Sequence, residues 1–146
     1  MLKLICTDLD RTLIPNGDQP ESRGARERFA QLVSDKEIFL TYVTGRDQAS
    51  VKEAIETFRL PVPDFVIADV GTSIIQVSDS SWKRVTEWDE KLAKSWGVGQ
   101  SGQISELLLD IEALQLQDAE NQKLYKLCYY VHVDNDIDAI IGEINN

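Results

Sequence analysis

Lys3-Leu4-Ile5-Cys6-Thr7-Asp8-Leu9-Asp10-Arg11-Thr12-Leu13 opens on a short apolar run and ends it abruptly on two carboxylates. The run, residues 3–7, is too short for a helix and reads as a buried strand. Residues 9–20 carry the breakers Pro15, Asn16, Gly17 and Pro20 and read as loop. A helix follows over 22–33, with Phe29, Leu32 and Val33 on one face. Residues 37–43, Ile38-Phe39-Leu40-Thr41-Tyr42-Val43 at their centre, form a second strand. Asp47 caps a second helix bearing Val51, Ala54, Ile55 and Phe58, which Leu60-Pro61-Val62-Pro63 terminates. A third strand spans 64–68.

Three strands alternating with two helices specify an α/β fold: a partial doubly wound parallel sheet. In such sheets ligands bind beyond the carboxyl ends of the strands. The first two strands end at Asp8 and Thr44, and the residues there have chemistry to offer. Two carboxylates two positions apart can converge on one cation. The first can attack phosphorus, and the second can protonate a leaving oxygen and then activate water. A hard cation such as Mg²⁺ suits the oxygen ligands of Asp8 and Asp10. The same pair also fits a solvated turn after a buried strand. Val43-Thr44-Gly45-Arg46 offers a hydroxyl, a glycine that admits a close backbone approach, and N–H groups at a helix start, a cradle for an anion. Taken alone, it is equally an ordinary strand-to-helix loop.

Strand-Asp8-x-Asp10-x-Thr12-Leu13 followed by strand-Thr44-Gly45-Arg46 resembles the first two motifs of the haloacid dehalogenase (HAD) superfamily phosphatases, closest to the sucrose-phosphate phosphatase-like branch and to the amino-terminal half of such proteins. The resemblance implies Asp8 as nucleophile forming a phosphoaspartyl intermediate and Asp10 as acid/base. It also implies Thr44 and Gly45 as phosphate binders, Mg²⁺ as cofactor and a sugar phosphate as substrate. Arg11 fills a variable position. Pro63-Asp64-Phe65-Val66-Ile67-Ala68-Asp69-Val70-Gly71-Thr72-Ser73-Ile74 looks like the strand and glycine turn where such proteins begin their cap. Relatives usually carry an acidic residue where Ser73 stands.

From 73–77, a strand paired through a turn, the character changes. Trp82, Trp88 and Trp96 cluster here and read as cap packing, with sugar stacking as the alternative. A loop at 97–102 precedes a helix striped by Ile104, Leu107, Leu108, Ile111 and Leu114. Residues 123–133 read as a strand and Ile137, Ile140, Ile141 and Ile144 as a last helix. The domains expected are a partial HAD-like core over 1–77 and an α+β cap over 78–146, itself partial. The lone His132 reads as structural or solvent-facing.

The family also needs a lysine that steadies the phosphate and an acidic turn that completes the metal site, both beyond the cap. Asp134-Asn135-Asp136-Ile137-Asp138 lacks the preceding glycine and fits an acidic helix start instead. Lys123 and Lys126 fall at or in a strand. The expectation is therefore a truncated phosphatase that a partner chain could complete, with a catalytically inactive binding or regulatory module as the alternative.

Composition sets the outer bounds. Twenty-five Asp and Glu against 15 Lys and Arg give a net charge of −10, which disfavours nucleic acid and anionic membranes as partners. Cys6 and Cys128 lie in apolar runs and read as small buried hydrophobes in a reducing compartment. The expected location is the cytoplasm.

Overall fold

The computed structural model describes residues 3–15, 17–18, 20–34, 37–78, 81–96 and 100–145. The chain divides into two compact units, Met1–Glu90 and Lys91–Asn146. The first holds a five-stranded sheet in the order β1-β2-β3-β4-β5. β1 (Lys3–Thr7), β2 (Ile38–Val43) and β3 (Phe65–Ala68) run parallel, joined through α1 (Ala25–Val33) and α2 (Gln48–Phe58). β4 (Ser73–Ser78) and β5 (Ser81–Arg84) then add antiparallel. The class is α/β, as the alternation of elements implies. The third strand is interior: β4 covers its outer side.

One face of this sheet is the core. Leu40 and Tyr42 of β2, Val66 and Ala68 of β3, and Ile75 and Val77 of β4 are buried against Val51 and Ala54 of α2. Phe29 and Val33 of α1 and Ile55 and Phe58 of α2 pack on the same cluster. Tyr42, fully buried, satisfies its hydroxyl by donating to the Pro61 carbonyl at 2.7 Å. Asp64 clamps β3 to β2: its Oδ2 accepts from Leu40 N and its own N–H donates to Leu40 O, both at 2.8 Å. The Asp47 carboxylate caps α2 by accepting from Ser50 N at 2.9 Å.

Several expectations need correction. α1 starts at Ala25, not at 22, because Gly24 adopts a left-handed conformation ahead of it (φ 72°). Leu32, placed on its apolar face, is 56 % exposed. β1 is not buried: it is an edge strand, with Leu4 63 % exposed and Cys6 exposed. Cys128 is only half-buried, and both thiols are free. Trp82 packs on the sheet core with Lys52 Nζ 5.0 Å above its ring.

The second unit is smaller. α3 (Thr86–Trp96) leads into it; α4 (Gln100–Leu107), a two-stranded ribbon of β6 (Gln115–Leu116) and β7 (Tyr129–Tyr130), and α5 (Ile137–Ile144) follow. Among the described residues its buried apolar side chains are Ile111, Tyr125 and Ile140. Trp96 meets Tyr125 edge-on at 6.4 Å. The loop expected at 97–102 is helical from Gln100 on, and 97–99 lie outside the described residues. The striped helix over 104–114 stops at Leu107, which is 78 % exposed. The strand over 123–133 shrinks to Tyr129–Tyr130, because Lys123 and Lys126 bond each other's backbone in a tight turn at its start and His132 O accepts from Asn135 N in a turn at its end.

Candidate active site

The register Thr7↔Tyr42 sets the ends of β1 and β2 side by side, so Asp8 and Thr44 leave the sheet at the same end. Two buried side chains, Leu9 and Ile14, anchor the loop after β1. The Leu9 carbonyl accepts the N–H groups of Thr12, Leu13 and Ile14, and Arg11, at φ 61°, donates to Ile14 O at 2.8 Å. With Leu9 driven inward, its neighbours Asp8 and Asp10 are turned out: Asp8 is exposed and Asp10 half-buried. Thr12 Oγ1 reaches Asp8 Oδ2 at 3.4 Å, a long bond that leaves this carboxylate available.

Thr44 is buried at the head of the next loop. Its N–H donates to Ile67 O at 2.9 Å, and its hydroxyl oxygen accepts from Arg46 N at 3.2 Å, which leaves the O–H to donate. A Cβ added at Gly45 would meet only Val70 Cγ2 at 4.0 Å, so packing does not demand a glycine there.

Sequence reasoning took Thr44 and Gly45 from this motif and passed over Arg46. Arg46 Nε and Nη2 grip Asp10 Oδ2 and Oδ1 at 2.8 and 2.7 Å, a two-pronged ion pair joining the ends of β1 and β2. Hydrogen bonding from Arg46 holds the Asp10 carboxyl below its ordinary value of 3.8, against an opposing effect of burial, with the charges of Arg46 and Arg11 assisting. The signal available in the sequence was an arginine and an aspartate at the ends of adjacent parallel strands.

A second missed cluster lies in the turn from β3 to β4. Asp69, Val70 and Gly71 all have positive φ (52°, 59° and 90°), and for a β-branched valine this is strain. Hydrogen bonds stitch the turn to the Thr44 loop: Asp69 N to Arg46 O at 2.9 Å and Val70 N to Thr44 O at 3.3 Å. Ser73 donates to the buried Asp69 carboxylate at 2.9 Å and accepts from Arg84 Nη1 at 2.8 Å, while Arg84 Nε grips Asp89 at 2.6 Å. Trp88 Nε1 closes the same turn on Gly71 O at 2.9 Å.

As a cation site the arrangement is incomplete. Among the described residues no three His, Cys, Asp or Glu side chains converge as metal ligands. Asp8 has oxygen to offer, whereas both Asp10 oxygens face Arg46, which would have to let go before the Asp10 carboxylate met a metal. Lys123 donates to Glu120 O at 2.8 Å, and Asp136 caps α5 through Ala139 N. His132 is solvent-facing, 3.3 Å from Asp134.

The family model for sucrose-6F-phosphate phosphohydrolase matches residues 1–146, the whole chain. The chain belongs to that family. A protein of Nitrosococcus oceani described as a HAD-like hydrolase is 43 % identical over 142 residues, 97 % of this chain and 38 % of its own length. The mannosylfructose-phosphate phosphatase of Agrobacterium fabrum is 30 % identical across 98 % of this chain and 54 % of its own. Among solved structures, the sucrose-phosphatase of Synechocystis, crystallised with sucrose and phosphate, superposes with a TM-score of 0.79 at 23 % identity. That match covers 98 % of this chain and 55 % of the other, and it establishes the shared fold. The chain thus spans about half the length of such relatives, or less.

Proposed function

We propose that this chain carries the nucleophile and phosphate-binding loops of a Mg²⁺-dependent sugar-phosphate phosphomonoesterase, sucrose phosphate being the substrate type nearest to its relatives. The observation behind this reading is the delivery of Asp8 and Thr44 to one end of adjacent parallel strands, in a chain that matches the family along its full extent. In the proposed reaction the Asp8 carboxylate attacks phosphorus as the bond to the sugar oxygen breaks, and Asp10 gives that oxygen its proton. Water, losing a proton to Asp10, then displaces phosphate from the phosphoaspartate. Thr44 O–H and the Gly45 backbone steady the phosphoryl oxygens. Gly45 suits this role because only an approaching ligand, and no internal packing, calls for its small size.

Arg46 constrains the proton transfer. While it grips Asp10 the carboxyl stays ionised, so donation requires the pair to part, and an incoming phosphate dianion competes for the guanidinium. Mg²⁺, when bound, would neutralise phosphate charge beside Asp8. The described residues do not fill its coordination shell, so further ligands would have to come from another segment or chain. That shortfall favours one alternative, a catalytically inactive HAD-like module that keeps the fold. Two free thiols agree with a reducing, cytoplasmic setting. No helix of the described residues is long and apolar enough to cross a membrane.

The test is release of phosphate from sucrose 6-phosphate and from an aryl phosphate, with and without Mg²⁺. The samples are the chain alone, the chain mixed with the unmatched portion of a full-length relative, and Asp8→Asn under both conditions. Metal-dependent hydrolysis lost in Asp8→Asn supports the phosphatase. Absence of turnover in every mixture supports the inactive module.

A further inference from the structure

The link from β3 to β4 holds three successive residues at positive φ, Asp69, Val70 and Gly71, and two of them carry side chains. Such a path costs free energy and persists only where its surroundings enforce it. What the path delivers is a pair of N–H groups. Asp69 N donates to Arg46 O and Val70 N to Thr44 O, one on either side of Gly45. The turn therefore holds the backbone of the proposed phosphate cradle from outside the cradle's own loop. Val70 borders the cradle as well: its Cγ2 lies 4.0 Å from where a Gly45 Cβ would stand.

Behind the turn stands a chain of charged and polar groups. Asp69 is 6 % exposed and Ser73 4 %. A carboxylate buried to that extent needs a donor and a compensating cation. Ser73 Oγ donates to Asp69 Oδ2 at 2.9 Å and itself accepts from Arg84 Nη1 at 2.8 Å. Arg84 also donates through Nη2 to Thr72 O at 3.3 Å, inside the turn, and through Nε to Asp89 Oδ2 at 2.6 Å, in the first turn of α3. One guanidinium of β5 is thus tied to the turn, to the start of β4 and to α3, all within the first unit. We infer that Arg84, acting through Ser73 and Asp69, is a positioning residue for the phosphate cradle: it fixes the β3–β4 turn, whose N–H groups in turn fix the backbone of Thr44 and Arg46. This role rests on the reading of Thr44 and Gly45 as phosphate binders, and it adds the residues that hold them in place.

The test uses the whole chain, isotopically labelled for nuclear magnetic resonance. Arg84→Met, at a side chain 46 % exposed, and Ser73→Ala, which removes the middle member, each break the connection to Asp69. In both, the Asp69 and Val70 amide hydrogens should exchange about tenfold faster or more, beyond any change in the amides of β2. Titration with inorganic phosphate in the presence of Mg²⁺, followed through the Gly45 amide resonance, should show affinity weakened about fivefold or more in both. Two controls separate positioning from charge and from stability. Lys83→Met removes a neighbouring exposed positive charge, and Tyr42→Phe removes a buried hydrogen bond of the core; both should bind phosphate as the wild type does. Equal acceleration of every amide, unchanged exchange at Asp69 and Val70, wild-type phosphate affinity in either variant, or equal weakening in either control would each overturn the inference while leaving Thr44 and Gly45 as binders. A Gly45 resonance that phosphate moves in no protein, the wild type included, overturns the phosphate reading itself, and the role of Arg84 with it.

Discussion

Arg46 decides the charge on Asp10, and the consequence is measurable in acid. The folded-state carboxyl sits below 3.8, so the unfolded chain binds its proton first as pH falls. The stability contributed by the pair is therefore complete above 3.8 and lost as pH drops through the lower folded value. Arg46→Met should cost about 1 kcal/mol at neutral pH, the size of a two-pronged pair that is roughly a third exposed, with the difference from wild type closing below that window. Urea titrations of both proteins from neutral pH into acid give the comparison. Val70 is the second residue with a consequence of its own. It is 73 % exposed and strained at φ 59°, so Val70→Gly should raise stability by about 1 kcal/mol in the same titration. A loss there would mean that the turn needs the valine side chain for more than its backbone path.

At the scale of elements, β2 is the keel of the sheet, and Tyr42 is its buried centre. Burial pushes the Tyr42 hydroxyl well above its ordinary value of 10.0. Its contribution is present below 10.0 and is lost as pH climbs from there toward the folded value, because only the unfolded chain ionises it readily. Tyr42→Phe should cost about 1 kcal/mol for the lost bond to Pro61 and should flatten the alkaline decline of stability above 10.0, as followed by thermal melts across alkaline pH. Asp47→Ala should cost about 1 kcal/mol by uncapping α2.

The elements also divide by how far the sequence announces them. β2, α2 and β3 are legible because apolar period, cap and proline stop agree. β1 is legible as a strand but not as an edge: an apolar run says nothing about whether a neighbour is there to cover Leu4 and Cys6. Asp8, Asp10 and Thr44 can be singled out from sequence because position at a strand end is a local property. The grip of Arg46 on Asp10 depends on register between strands, which no local window holds. α3 went unread although Glu87 and Asp89 in its first turn and Lys94 in its last follow the helix dipole. Leu107 and Leu114 suggested one stripe, but the helix ends at Leu107, where turn hydrogen bonds over 108–114 take over, Ile111 N to Leu108 O and Leu114 N to Ile111 O among them.

At the scale of the whole molecule, a chain of 146 residues carries a net charge of −10, and at its proposed site the charges of Arg46 and Arg11 both act on Asp10. Asp10 is balanced by Arg46; among the described residues the Asp8 carboxylate has only a 3.4 Å contact with Thr12. Such a nucleophile is primed only when positive charge arrives with the substrate, so activity should fall steeply, by about a hundredfold or more, when the metal is chelated from the completed assembly. Coupled phosphate detection before and after chelation, with Mg²⁺ added back, checks this.

Phosphorylation of Asp8 is the step on which the proposed function stands or falls. The direct measurement is rapid acid quench of the chain, mixed with its complement, Mg²⁺ and sucrose 6-phosphate, followed by peptide mass spectrometry. The expected result is one phosphoryl group on the peptide containing Asp8, absent from Asp8→Asn and slow both to form and to decay in Asp10→Asn, which loses the acid of the first step and the base of the second. A phosphoryl group found on any other residue, or retained in Asp8→Asn, would contradict it.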